Sequence, residues 1–205
     1  MSEARAAILE RLRRLARGGP DAAEARIAAP PAHPCPRVEG DLVARFTARA
    51  EAQAAVVHRL ARMEEVPAAV AAVAAGATPV CPDPSLAALP WPAGGRPACR
   101  PPSGDDRITL TRAFAGVAET GSLVFASGVH APTGAHFLPE TECAVLEADR
   151  ILPHLEAAWA LLAAELGAMP RTVNLVSGPS RTADVEQTIQ LGAHGPRALH
   201  ILIVG

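Results

Sequence analysis

Four clusters in this 205-residue chain hold residue types and spacings able to do chemistry. The first is Ser177-Gly178-Pro179-Ser180-Arg181-Thr182-Ala183-Asp184. The apolar pattern predicts a strand over 173–177 and a helix over 182–191, so this segment is a strand-to-helix junction. In an open α/β sheet such junctions lie at the carboxyl edge, where ligands bind. Free N–H groups at a helix start attract an anion. Ser180 and Thr182 would add hydroxyl donors, and Arg181 a planar fork suited to carboxylate or phosphate. Plain capping fits the same residues, with Thr182 as N-cap or Asp184 and Gln187 as a capping box. One helix end can do both.

The second cluster is Ala118-Glu119-Thr120-Gly121-Ser122, a tight turn feeding a strand. Gly121 permits an unusual backbone conformation there. Glu119 is a candidate base, nucleophile or anchor for a ligand hydroxyl, set against an ordinary surface carboxylate on a turn. Thr120 and Ser122 flank it with hydroxyls. The third cluster is Gly192-Ala193-His194-Gly195-Pro196-Arg197. Gly192 suits a helix C-cap, and His194 carries an imidazole able to titrate near neutral pH. A parallel final strand would put this loop at the opposite sheet edge from Ser180, in a structural role. The fourth is His130 with His136 and Glu140, read either as separated metal ligands or as a polar loop.

Composition removes several chemistries. All 19 basic residues are Arg, with no Lys. A P-loop, a Schiff base and a pyridoxal phosphate linkage each need a Lys. Net charge is −2, which gives no drive toward nucleic acid or an anionic membrane. The Arg-rich stretch 11–17 reads as a solvated helix face or a contact surface. Cys35, Cys81, Cys99 and Cys143 make no C-x-x-C pair. Iron–sulfur and structural zinc sites usually depend on such close spacing, so no cofactor is expected in this chain and free thiols are. No apolar run reaches the ~18 residues of a membrane span, and the N-terminus lacks a signal-peptide pattern. The expected location is the cytoplasm.

The elements that must position these residues follow from periodicity. Helices are expected over 3–17, 41–53, 64–75 and 148–166, with one or two helical turns over 112–118. Strands are expected over 55–58, 78–81, 108–110, 121–126, 142–146 and 199–204. Residues 18–37 read as a Pro/Ala-rich linker, 82–102 as irregular surface pinned by Trp91, and 128–140 as a loop. This alternation favours a three-layer α/β/α sandwich with a mostly parallel central sheet. The run 199–204 suits a strand buried on both faces. Residues 1–37 form an N-terminal helix and linker, and 38–205 the α/β domain. Oligomeric state stays open, a homo-oligomer included.

Four blocks in order, A-G-V-A-E-T-G-S-L-V at 115–124, L-P-E at 138–140, S-G-P-S-R-T-A-D-V-E at 177–186 and L-G-A-H-G-P-R at 191–197, resemble the LUD-domain family, most closely its lactate-utilisation C branch. The likeness covers about 106–205 well and the N-terminal half loosely. It implies a fold similar to the NagB/RpiA/CoA-transferase group. It also implies a non-redox subunit that works beside partners carrying iron–sulfur clusters, in oxidising L-lactate to pyruvate. The ligand would be a small carboxylate or phosphate. Two other readings remain: a stand-alone ligand-binding or regulatory module, and a CoA-transferase-like enzyme. The second rests on Glu119-Thr120-Gly121, which is similar to the Glu-x-Gly nucleophile turn of that fold group. The chain is short for such an enzyme and shows no convincing CoA-binding segment. Whether this chain is itself an enzyme stays open.

Overall fold

Asp41 opens the first helix of the main body by accepting from the amides of Val43 and Ala44 at 2.9 and 3.0 Å, which satisfies two of the orphan donors of a helix start. The computed structural model describes residues 3–15, 19–29, 37–182, 190–192 and 194–205. It divides into two units, 1–35 and 36–205.

The first unit holds α1 (Glu3–Leu15) and α2 (Pro20–Ala28). α2 corrects the reading of 18–37 as linker. Pro20 sits at its first turn, where no N–H is needed, and the Ala-rich run behind it favours helix.

The second unit begins with α3 (Leu42–Ala52), which buries Phe46 and Ala50. Strand β1 (Val56–Leu60) and helix α4 (Val66–Ala74) follow. A short helix α5 (Pro84–Ala87) lies in the Pro-rich stretch, where Trp91 Nε1 donates to the Leu86 carbonyl at 3.1 Å. Then come β2 (Ile108–Arg112), β3 (Ala115–Val117), β4 (Ser122–Ala126), β5 (Thr141–Glu147) and β6 (Ile151–Leu152). Helix α6 (Leu155–Leu166), strand β7 (Val173–Val176), the short strands β8 (Arg181–Thr182) and β9 (Gln190–Leu191), and β10 (Ala198–Val204) complete it.

The central sheet is parallel throughout, in the order β1-β10-β5-β2. Its inner strand β10 presents Leu199, Ile201 and Ile203 to one core, with Phe46, Ala144 and Leu146. It presents Leu202 and Val204 to another, with Val66, Val70, Cys143 and Val145. Cover on both faces explains the unbroken apolar run. At Ala113 and Phe114 the chain passes from this sheet into a second, mixed one, ordered β6-β3-β4-β7. α6 covers part of that sheet through Ala158 and Leu162. The expected mostly parallel sheet flanked by helices is present, with this second sheet added.

Three local expectations are overturned. Residues 112–118 are not helical, because β3 pairs with both β4 and β6 and is buried throughout. A side chain at Gly116 would meet Leu146 at 2.8 Å and Phe46 at 2.9 Å, so glycine is needed inside that strand. The stretch 148–166 is not one helix. Pro153 disfavours helical backbone at the residue before it, so Ile151–Leu152 is a strand and the helix starts at the His154 cap. Expected strand 78–81 shrinks to bridges of Val80 with Ala98 and Thr109. At the ends of the expected helix over 182–191 the chain forms β8 and β9, which pair antiparallel; residues 183–189, where the body of that helix was expected, lie outside the described part.

Candidate functional site

The C-terminal half of α3 is where two of the sequence clusters meet. A Cβ on Gly121 would stand 2.6 Å from the Arg49 carbonyl carbon and closer still to the Ala50 amide. A Cβ on Gly178 would strike the Gln53 carbonyl oxygen. Both glycines also hold positive φ, +71° and +78°, so both loops press onto the helix only because no side chain intervenes. Gln53 Nε2 fastens the first loop by donating to the Thr120 carbonyl at 2.5 Å.

This contact builds a cleft of about 600 Å³ lined by Arg45, Arg49, Ala52, Gln53, Glu119, Thr120, Ser122 and Ser177. Three hydroxyls run along it, with Thr120 Oγ1 2.7 Å from Ser122 Oγ and Ser122 Oγ 2.5 Å from Ser177 Oγ. Arg45 and Arg49 are exposed, one turn apart. Neither they nor Glu119 form a salt bridge among the described residues. Two unneutralised guanidiniums and a hydroxyl row suit a carboxylate, while Glu119 can accept from a ligand hydroxyl.

Ser180 belongs to a second place. Its amide donates to the Pro196 carbonyl at 2.8 Å, and the His194 amide donates to Ser180 Oγ at 3.3 Å. The Arg197 amide donates to the Glu140 carbonyl at 2.7 Å. Another cleft, of about 450 Å³, therefore joins residues 137–140 with Gly192, His194, Gly195 and Arg197. The His194 loop and the Ser180 loop were expected on opposite edges and instead touch. The final strand is parallel as that argument required, but β7 lies in the mixed sheet, so Ser180 is not on the carboxyl edge of the central one.

Arg181 is exposed on β8, which pairs antiparallel with β9. The helix start expected after Thr182, and Asp184 with it, lies outside the described residues. Pro179 and Gly178 bridge the two clefts along the chain, with Ser177 in one and Ser180 beside the other.

The fourth cluster does not assemble as a metal site. His136 is buried, with Nδ1 2.6 Å from Glu142 Oε1 and its ring stacked on Phe125 at 3.8 Å. Glu140 instead pairs with Arg107 at 3.6 Å on the surface, and His130 is exposed. Thr111 Oγ1 also donates to Glu142 Oε1, at 2.8 Å, joining a core polar cluster that the spacing of these residues does not announce.

The carboxyl edge of the central sheet, the usual ligand edge, is occupied by the protein itself. Arg112 there donates to Asp83 at 3.2 Å, Glu147 at 2.6 Å and Ser85 at 3.2 Å. The Asp83 carboxyl is held below the usual range by its hydrogen bonds from Ser85 and Arg112, against an opposing push from burial. A carboxylate with a lowered folded pKa contributes stability above its unfolded value of ~3.9 and loses it as pH falls through the folded one. Asp83→Asn is accordingly expected to flatten the acid limb of stability below about pH 4, measured by urea unfolding at several pH values.

The family relation bears on which of these places matters. The LUD domain model matches residues 95–204. The chain belongs to the LUD domain family. Its matched region contains Glu119, Ser122 and Ser177 of the α3 cleft and all of the second one. This LUD-domain chain is 31% identical over 91 residues to "Lactate utilization protein C" of Geobacillus kaustophilus, covering 43% of this chain and 38% of that protein. It is 32% identical over 101 residues to "Uncharacterized protein YkgG" of Escherichia coli K12, covering 47% and 44%. The chain thus spans less than half the length of the curated relatives it matches. A crystal structure of a DUF162 family protein from Deinococcus radiodurans superposes with a TM-score of 0.62 at 20% identity, over 83% of this chain and 100% of that one. That likeness establishes the fold. Among the described residues no helix is long and apolar enough to cross a membrane.

Proposed function

We propose that this LUD-domain chain is a ligand-binding subunit of an L-lactate utilisation system, and that the α3 cleft takes a 2-hydroxycarboxylate such as L-lactate. The observation that carries this reading is the convergence of two family blocks, A-E-T-G-S and the start of S-G-P-S, on a cleft with two arginines that form no ion pair among the described residues. The carboxylate pairs with Arg45 and Arg49, and the ligand hydroxyl donates to Glu119. Ser122 and Ser177 supply further hydrogen bonds. Relatives named for lactate utilisation support the choice of ligand.

On this reading the chain binds and orients the substrate, while a partner protein bearing iron–sulfur clusters takes the electrons. The wide spacing of the four cysteines is consistent with that division. The Ser180–His194 cleft, with exposed Phe137 and Leu138 at its rim, serves partner contact. Glu119 acts as a hydroxyl acceptor rather than a transferase nucleophile.

Growth tests the role. A native host deleted for this gene is expected to lose growth on L-lactate but not on pyruvate. The wild-type gene should restore it, and an Arg45→Ala/Arg49→Ala gene expressed at equal level should restore less than a tenth of the rate. Full rescue by the double variant would exclude the cleft from that role.

A further inference from the structure

Cys81 and Cys99 stand 18 positions apart, with a Pro-rich stretch between them. The fold brings their backbones together. Val80 and Ala98 form a parallel bridge, in which the Ala98 amide donates to the Pro79 carbonyl at 2.9 Å and the Cys81 amide to the Ala98 carbonyl at 3.0 Å. Cys81 and Cys99 each directly follow a residue of that bridge, and the two thiols lie near enough to interact electrostatically. Neighbouring strands lie ~4.8 Å apart, within the roughly 4.4–6.8 Å that a disulfide spans between Cα atoms.

We propose that Cys81 and Cys99 are a reversible thiol–disulfide pair, oxidised by a hydroperoxide that enters at Cys99. Cys99 is exposed and Cys81 is fully buried. This asymmetry sets the order of events. The Cys99 sulfur attacks the peroxide O–O bond, becoming a sulfenic acid and releasing water or an alcohol. The Cys81 sulfur then attacks the Cys99 sulfur. The new S–S bond displaces the sulfenic hydroxyl, which leaves as water with the Cys81 proton. Two thiols lose two electrons and the peroxide gains them.

Three further features fit the pair. Burial, with a smaller contribution from nearby Cys99, pushes the Cys81 thiol up to about 12, so the two groups sense one another and Cys81 makes a poor first nucleophile. Cys81 Sγ now donates to the Asp83 carbonyl at 3.2 Å, a contact that the disulfide would break. The closed loop would contain α5 and the Trp91 anchor, already fixed by their own bonds, so the link would lock a folded segment. Disulfides of this kind in reducing compartments are commonly transient and redox-sensing.

The test is peptide mapping of the full chain. Reduced protein is treated with equimolar hydrogen peroxide, alkylated, and digested without reductant. The expected product is a Cys81–Cys99 linked peptide, two hydrogens lighter than its parts and lost on adding dithiothreitol. Cys99→Ser should abolish it and leave Cys81 fully alkylatable after unfolding. Cys81→Ala should leave Cys99 as a sulfenic acid trapped by dimedone. Cys99→Ser changes an exposed side chain, so it remains informative if Cys81→Ala fails to fold. Wild-type Cys99 advancing to sulfinic acid without a link, or linking only to Cys35, would overturn the pairing.

Discussion

Gly121→Ala is expected to destabilise the main body by roughly 2–5 kcal/mol, measured by urea unfolding followed by circular dichroism. Two costs add. An L-residue held near a φ of +71° is in the left-handed region, which costs about 1–2 kcal/mol. The new methyl also meets backbone of α3 at Arg49 and Ala50. Backbone cannot rotate away as a side-chain tip can, and forcing it costs about 1–3 kcal/mol. The change should also pry the Thr120 loop from Gln53, so the cleft opens even in molecules that stay folded. Gly40 has a similar φ of +89° but open space around it, and Gly40→Ala should cost only about 1–2 kcal/mol. Equal losses at the two glycines would mean that the close approach to α3 contributes nothing.

The second large effect is on binding. Arg45→Ala/Arg49→Ala should weaken L-lactate binding on the order of 100-fold by isothermal titration calorimetry. A hydrogen bond to a charged group contributes about 1.5–3 kcal/mol, and each 1.4 kcal/mol is about tenfold in affinity. Losing two such contacts therefore costs about 3 kcal/mol or more. Stability should barely change, because neither guanidinium forms an ion pair among the described residues. The residual loss comes from Arg49, which sits in the last turn of α3 and favours the helix dipole by about 0.3–1 kcal/mol. A large drop in melting temperature with unchanged affinity would reverse the assignment and make these arginines structural.

The amino-acid order made part of this plain. Strand β10 and helix α3 emerge close to where periodicity puts them, because each buries its apolar residues against the main core. The sequence blocks around Glu119 and Ser177 also stood out, since small residues cluster where backbones touch. Other features depended on partners far along the chain. Residues Ala115–Val117 form a strand because β4 and β6 lie on either side, and no local propensity reports that. The allocation of β7 to the mixed sheet decided that Ser180 meets His194, and strand order is not written in any one segment.

The periodicity of 41–53 reports a helix but not the ligand-facing role of Arg45 and Arg49 on it. A signal was present: like charges at i and i+4 repel on a helix surface. Arg45 has Asp41 one turn before it, but that carboxylate is engaged in capping. A repulsive pair without a counter-ion among the described residues is a reason to look for an anion. The metal reading of His136 failed for the converse reason. Its partner, Glu142, lies on the inner face of a central strand, and that face is set by the sheet rather than by spacing.

The most direct test of the account is a crystal of this chain soaked in L-lactate. The prediction is one lactate in the cleft beside α3, its carboxylate about 2.7–2.9 Å from the guanidinium nitrogens of Arg45 and Arg49 and its hydroxyl directed at Glu119. Lactate bound instead among residues 137–140 and 194–197, or absent from both places at saturating concentration, would contradict it.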